Sequence, residues 1–148
     1  MSTANRVFLD TNILVFGRLQ GSPLCQTVEK RLTELESLGT EFWISRQILR
    51  EYVAVLSRGR GLTAVPPMAD LLADVQHFCG RFQIAEDGAT VTQQLMQLLS
   101  AVACAGKQVH DANIVATMMP HGIGRLLTHN VGDFQRFAGY VTVEPLIM

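Results

Sequence analysis

The stretch Arg6-Val7-Phe8-Leu9-Asp10-Thr11-Asn12-Ile13-Leu14-Val15, RVFLDTNILV, sets a single acid in the middle of an apolar run. Val7 to Asp10 reads as a short buried strand, being continuous, apolar and rich in β-branched and aromatic residues. A carboxylate carried into such surroundings costs free energy unless a partner satisfies it. Asp10 is therefore either a cap on the turn at Thr11-Asn12 or one member of a site.

Downstream, short apolar runs alternate with amphipathic stretches. Ser22 and Pro23 have the form of an N-cap and a first helical position, opening a helix that reaches Leu38 before Gly39. Glu41-Phe42-Trp43-Ile44-Ser45 predicts a second strand, and Ile48, Tyr52, Val55 and Leu56 predict a helix over 46–57, broken by Gly59 and Gly61. Pro66-Pro67 precede a helix through Cys79, and 82–85 reads as a third strand. Helices are predicted over 89–105, ended by Gly106, and over 111–119, ended by Pro120 and Gly122. Leu126 to Thr128 and Tyr140 to Val143 supply the fourth and fifth strands. This alternation implies an α/β fold with a central parallel sheet covered on both faces. Ligands of such sheets bind beyond the carboxyl ends of the strands.

The chain has 148 residues, 48% apolar and 17% charged, which suits a single domain over 1–148 with a proper core. No apolar run approaches the ~20 residues of a membrane span. The N-terminus lacks the pattern of a secretory signal, so a cytoplasmic location is expected. Cys25, Cys79 and Cys104 have no metal or redox spacing and are expected to be small buried thiols. A formal net charge of −1 argues against broad non-specific attraction to nucleic acid; contact of that kind requires a local basic patch.

Four acids then fall on the side of the sheet that the strand-end rule selects. Asp10 closes the first strand, and Asp133 follows the fourth after a short interval. Glu51 borders the apolar stripe of the helix after the second strand. Asp111 shares its helix face with Ile114, Val115 and Met118. Each has an ordinary alternative: Asp111 as a helix cap, Glu51 as a partner of Arg46 or Arg50, Asp133 as the start of a short helix. Taken together they would be independent accidents at one sheet edge. Two carboxylates ~4 Å apart repel by about 4 kcal/mol at an effective dielectric near 20, so a cluster is partly protonated or held by a cation. An oxygen-only donor set selects Mg²⁺ or Mn²⁺ over zinc. Asn12, Thr128 and Asn130 add neutral oxygens at the same strand ends, either orienting the acids or shaping turns.

D-T-N after the first strand, a Glu on the helix after the second, H-D-A-x-I-x-A on a later helix and T-H-N-x-x-D-F together resemble the PIN domain, in particular VapC-type toxins of toxin–antitoxin pairs. The resemblance runs from Asp10 to Phe134. It implies a three-layer sandwich around a five-stranded parallel sheet and a metal-dependent ribonuclease. By position, the catalytic acids would be Asp10, Glu51, Asp111 and Asp133, with Asp10, Asp111 and Asp133 on Mg²⁺ or Mn²⁺. Many PIN domains carry an acid where this chain has Asn130; Asp133 is taken as the fourth acid. The implied partners are an RNA substrate, a cognate antitoxin whose C-terminal segment enters the acidic groove, and a second copy in a homodimer, with no membrane. A non-catalytic PIN-fold binding subunit is the alternative. Arg46, Arg58, Arg60 and Lys107 are the candidate RNA contacts, and Leu71, Leu72, Val75 and Phe78 form an apolar surface for a partner or for the core. Rival parallel-sheet enzymes lack support: a dehalogenase-like phosphatase needs an Asp where Asn12 stands, and no G-x-x-x-x-G-K is present.

Overall fold

In the computed structural model, which describes residues 5–148, the opening run divides at Asp10. Arg6–Leu9 forms strand β1 and Thr11–Arg18 forms helix α1, with Asp10 as the N-cap between them. The turn expected at Thr11-Asn12 is thus the first turn of a helix. The Asp10 carboxylate accepts the Thr11 N–H at 2.8 Å, and the Asp10 carbonyl accepts the Ile13 N–H at 3.0 Å. Ile13, Leu14 and Val15 are then buried from a helix rather than from a strand.

The remaining elements are α2 (Pro23–Ser37), β2 (Glu41–Ser45), α3 (Arg46–Arg58), α4 (Met68–Arg81), β3 (Gln83–Ala85), α5 (Ala89–Ala101), α6 (Lys107–Met118), β4 (Arg125–Thr128), α7 (Val131–Phe134) and β5 (Thr142–Pro145). Ser22 caps α2 by accepting the Leu24 N–H, with Pro23 in the first turn as the sequence predicts. Helix α5 stops at Ala101, short of the expected Ala105, because Val102 is extended. Helix α6 begins at Lys107, ahead of the expected Asp111. Gly106 at φ 58 makes the turn into it without a side-chain cap. Strand β5 starts later than Tyr140 because the Tyr140 and Val141 N–H groups both turn back to the Phe137 carbonyl.

The sheet order is β3-β2-β1-β4-β5, and every pair is parallel. Successive residues of a strand point to opposite faces, yet Val7, Phe8 and Leu9 are all fully buried, so helices cover both faces of the central strand. Helix α1 packs on α2 and α3, α3 on α4, and α5 on α6. Leu71 lies in the core and Val75 and Phe78 pack against it, whereas Leu72 is 54% exposed. Cys25 is buried as expected. Cys79 is exposed, since Leu71 is the buried position of α4 and the rest of that helix faces outward or packs only partly. Among the described residues no helix is long and apolar enough to cross a membrane.

Candidate active site

From β1 the chain builds outward to β2 and β3, then crosses back to lay β4 and β5 on the other side of β1. The strand order reverses between β1 and β4, and in open α/β sheets a crevice forms at the carboxyl ends of such a pair. Asp10 follows β1 there, its N–H still bonded to the Leu127 carbonyl of β4 at 3.1 Å. Thr128 closes β4 and donates its hydroxyl to Asp10 Oδ2 at 2.7 Å. Asn12 Nδ2 donates to the same Oδ2 at 3.2 Å and to Thr128 Oγ1 at 3.3 Å. The Asn130 N–H also donates to Thr128 Oγ1, at 3.0 Å, which fills that hydroxyl's bonding capacity. The Asn12 carbonyl oxygen accepts the His129 N–H at 3.1 Å, so the two strand ends are stitched together from both sides.

Glu51 comes from α3. Its Oε2 accepts the Thr11 hydroxyl at 2.7 Å and its Oε1 accepts from Gln47 Nε2 at 2.9 Å. Arg46, the alternative partner, instead forms a bidentate pair with Glu86 at 2.6 and 3.0 Å. Asp111 lies one turn inside α6, so it is not a cap, and it is half-buried; Asp133 is exposed in the first turn of α7. Neither accepts a hydrogen bond from another described residue.

These acids share one cleft of about 650 Å³, lined by Asp10, Glu51, Asp111 and Asp133 together with Thr11, Asn12 and Asn130. Arg58, Arg60 and Lys107 line the same cleft and are exposed, whereas Arg46 does not line it. Val15 and Phe16 of α1 and Leu19 at its C-cap add an apolar wall that sequence reasoning missed along with α1 itself. Gln47 was also missed; its spacing from Glu51, four residues along a helix, was the available signal.

The electrostatics follow from this packing. Burial raises the Asp10 carboxyl from an ordinary 3.8 to about 6. The Thr128 and Thr11 hydrogen bonds oppose that rise, and the Glu51 and Asp111 charges add to it. Asp111 is also raised, first by burial and then by the Asp133 carboxylate, with Lys107 pulling the other way. Among the described residues no three acids, histidines or cysteines converge closely enough to hold a metal ion as they stand. The Asp10 and Glu51 oxygens are held by hydroxyl and amide donors, while Asp111 and Asp133 repel each other across the cleft. The donor chemistry nonetheless suits a hard divalent cation: the acids present oxygen only, and mutual repulsion makes added positive charge favourable.

The chain is thus an α/β protein with a parallel sheet and an acidic cleft at the carboxyl ends of its strands. The PIN domain family model matches residues 7–140. The chain belongs to that family. No curated protein matches it by sequence. Among solved structures it is similar to VapBC2 from Rickettsia felis bound to a DNA fragment from its promoter. There the identity is 19%, the match covers 95% of this chain and 98% of the other, and the TM-score is 0.70. VapBC-1 from nontypeable Haemophilus influenzae matches at 14% identity over 97% and 99% of the chains, with a TM-score of 0.71. VapC20 of Mycobacterium tuberculosis, a sarcin-ricin loop cleaving toxin, matches at 20% identity over 94% and 99%, with a TM-score of 0.65. At these identities the likeness is one of fold.

Proposed function

We propose that this PIN domain is a divalent-metal-dependent endoribonuclease, acting in the cytoplasm as the toxin of a VapBC-type pair and held inactive by a cognate antitoxin. The observation that carries this reading is the single cleft that gathers Asp10, Glu51, Asp111 and Asp133 and sets Arg58, Arg60 and Lys107 beside them. Acids alone would repel a nucleic-acid backbone; exposed bases in the same cleft give its phosphates a place to bind.

Asp10, Asp111 and Asp133 would hold Mg²⁺ or Mn²⁺, which when bound supplies charge neutralisation at the scissile phosphate and a more acidic water. Arg58, Arg60 and Lys107 would bind flanking phosphates of single-stranded RNA. Glu51 would orient the attacking water and take its proton. The water oxygen bonds to phosphorus as the P–O3′ bond breaks, leaving a 5′-phosphate and a 3′-hydroxyl. Thr128, Asn12 and Thr11 would keep Asp10 fixed through the reaction, and Asn130 would shape the mouth beside Asp133.

The purified protein should cleave RNA with Mg²⁺ or Mn²⁺, stop with EDTA, and lose cleavage in the Asp10→Asn and Asp111→Asn variants. RNA bound but left uncut by the wild type under all metal conditions would transfer the reading to a non-catalytic subunit.

A further inference from the structure

The side chain of Gln47 has no place in the catalytic assignment above and lines no part of the cleft, yet it is 7% exposed in the first turn of α3. A buried primary amide must find partners for both its ends. Gln47 Nε2 donates to Glu51 Oε1 at 2.9 Å and to the His110 carbonyl at 3.0 Å, while its Oε1 accepts from Asn113 Nδ2 at 2.8 Å. The amide orientation follows from these partners: a flipped group would set its oxygen against a carboxylate and a carbonyl. His110 and Asn113 flank Asp111 on α6. One amide therefore grips the free oxygen of Glu51, whose other oxygen is held by Thr11, and bolts it to the turn of α6 that carries Asp111. Asn113 is itself anchored to Asp87 at 3.0 Å, which continues the brace out to the loop after β3.

We propose that Gln47 is a positioning residue that fixes the Glu51 carboxylate and sets its separation from Asp111. Its geometry stands independently of the nuclease reading; its consequence for cleavage rests on that reading. Without the amide, Glu51 keeps only the Thr11 hydroxyl and rotates about its side-chain bonds, and α3 loses its polar tie to α6.

Two measurements test this separately. Crystal structures of the wild-type protein and Gln47→Met, a replacement of similar length without donors, should show the Glu51 carboxylate displaced in the variant. An unmoved carboxylate overturns the proposal, whether or not the protein cleaves RNA. In RNA cleavage, Gln47→Met should lower kcat by about 10–100-fold, the usual effect of removing a group that orients a site residue. KM should stay within about threefold, since Gln47 touches no substrate. In a Glu51→Gln background the further loss should be less than about threefold; a full additive loss means that Gln47 acts elsewhere and overturns the proposal. If circular dichroism shows Gln47→Met unfolded, Asn113→Ala releases the amide from its outer side and carries the same structure and cycle. Failure of the wild type to cleave RNA would overturn the nuclease reading alone and leave the crystallographic comparison to decide Gln47.

Discussion

Replacing Asp10 with Asn should stabilise the protein at pH 8 and destabilise it at pH 4.5. The buried carboxyl titrates near 6 in the folded chain against an ordinary 3.8. A raised folded value means that the folded state holds its proton more tightly than the unfolded state. The stability associated with that proton is complete below pH 4 and is lost as the pH climbs through 6. The displacement corresponds to about 3 kcal/mol at pH 8, but to only about 1 kcal/mol at pH 4.5, where the unfolded group is itself partly protonated. Asn carries no charge and escapes this penalty. It also sets an amide where Oδ2 accepts from Thr128 and Asn12, a loss of about 1 kcal/mol for each neutral hydrogen bond. The balance is a gain of about 1 kcal/mol at pH 8 and a loss of about 1 kcal/mol at pH 4.5, or about 3 °C in Tm in each direction for a chain of this size. Thermal unfolding of both proteins in EDTA at pH 4.5, 6 and 8 measures it. The decisive quantity is the difference between the proteins, because general acid effects are common to both. A difference that does not change with pH would refute the account of Asp10 as a carboxyl strained by burial.

Three further outcomes follow from the same geometry. Mn²⁺ added at pH 8 should raise the wild-type Tm, by the equivalent of about 2.7 kcal/mol at a hundredfold excess over Kd, and should leave Asp10→Asn nearly unmoved; equal shifts would remove Asp10 from the cation site. Double replacement of Arg58 and Arg60 by Ala should lessen the slope of log K for single-stranded RNA against log salt by about 1.4, from about 0.7 per lost phosphate contact, and an unchanged slope would take both arginines off the RNA. Gly59 closes α3 at φ 72, where a Cβ would also overlap the Val65 side chain, so Gly59→Ala should cost at least about 1–2 kcal/mol by chemical denaturation. Adding Val65→Ala should restore the part due to overlap and not the part due to backbone; full restoration would show that the left-handed turn costs little.

The sheet was legible because each strand announces itself locally. Glu41–Ser45 occupies the range its residues predict, and Asp10 and Thr128 stand at strand ends as read. The boundaries that escaped have physical reasons. Ile13, Leu14 and Val15 are three consecutive apolar residues, all buried because α1 is pressed between sheet and neighbouring helices, so no helical period shows. Lys107 has no capping side chain before it, only a glycine, which left Asp111 looking like the head of a helix when it lies within one. The gathering of the acids into one cleft was inferred from the strand-end rule, but their partners were not. That Arg46 turns to Glu86 and Glu51 to Thr11 depends on side-chain reach between segments about forty residues apart in sequence, which no local pattern records. Strand order is hidden for the same reason: nothing in the chemistry of β1 says that its second neighbour is β4.

That strand order also bears on when the cleft can exist. Strand β1 is made before the other strands of its sheet, but one of its two edges waits for β4, whose residues emerge more than a hundred positions later. Until then Asp10 has no Thr128, and neither Asp111 nor Asp133 is opposite it. A growing chain can assemble β1, β2 and β3 with their helices and still present only half a site. Pairing across such sequence distances is slow to form. The seam between β1 and β4 therefore acts as a timer: the acids meet only when both halves of the sheet have docked, so the cleft closes only after β4 has been made.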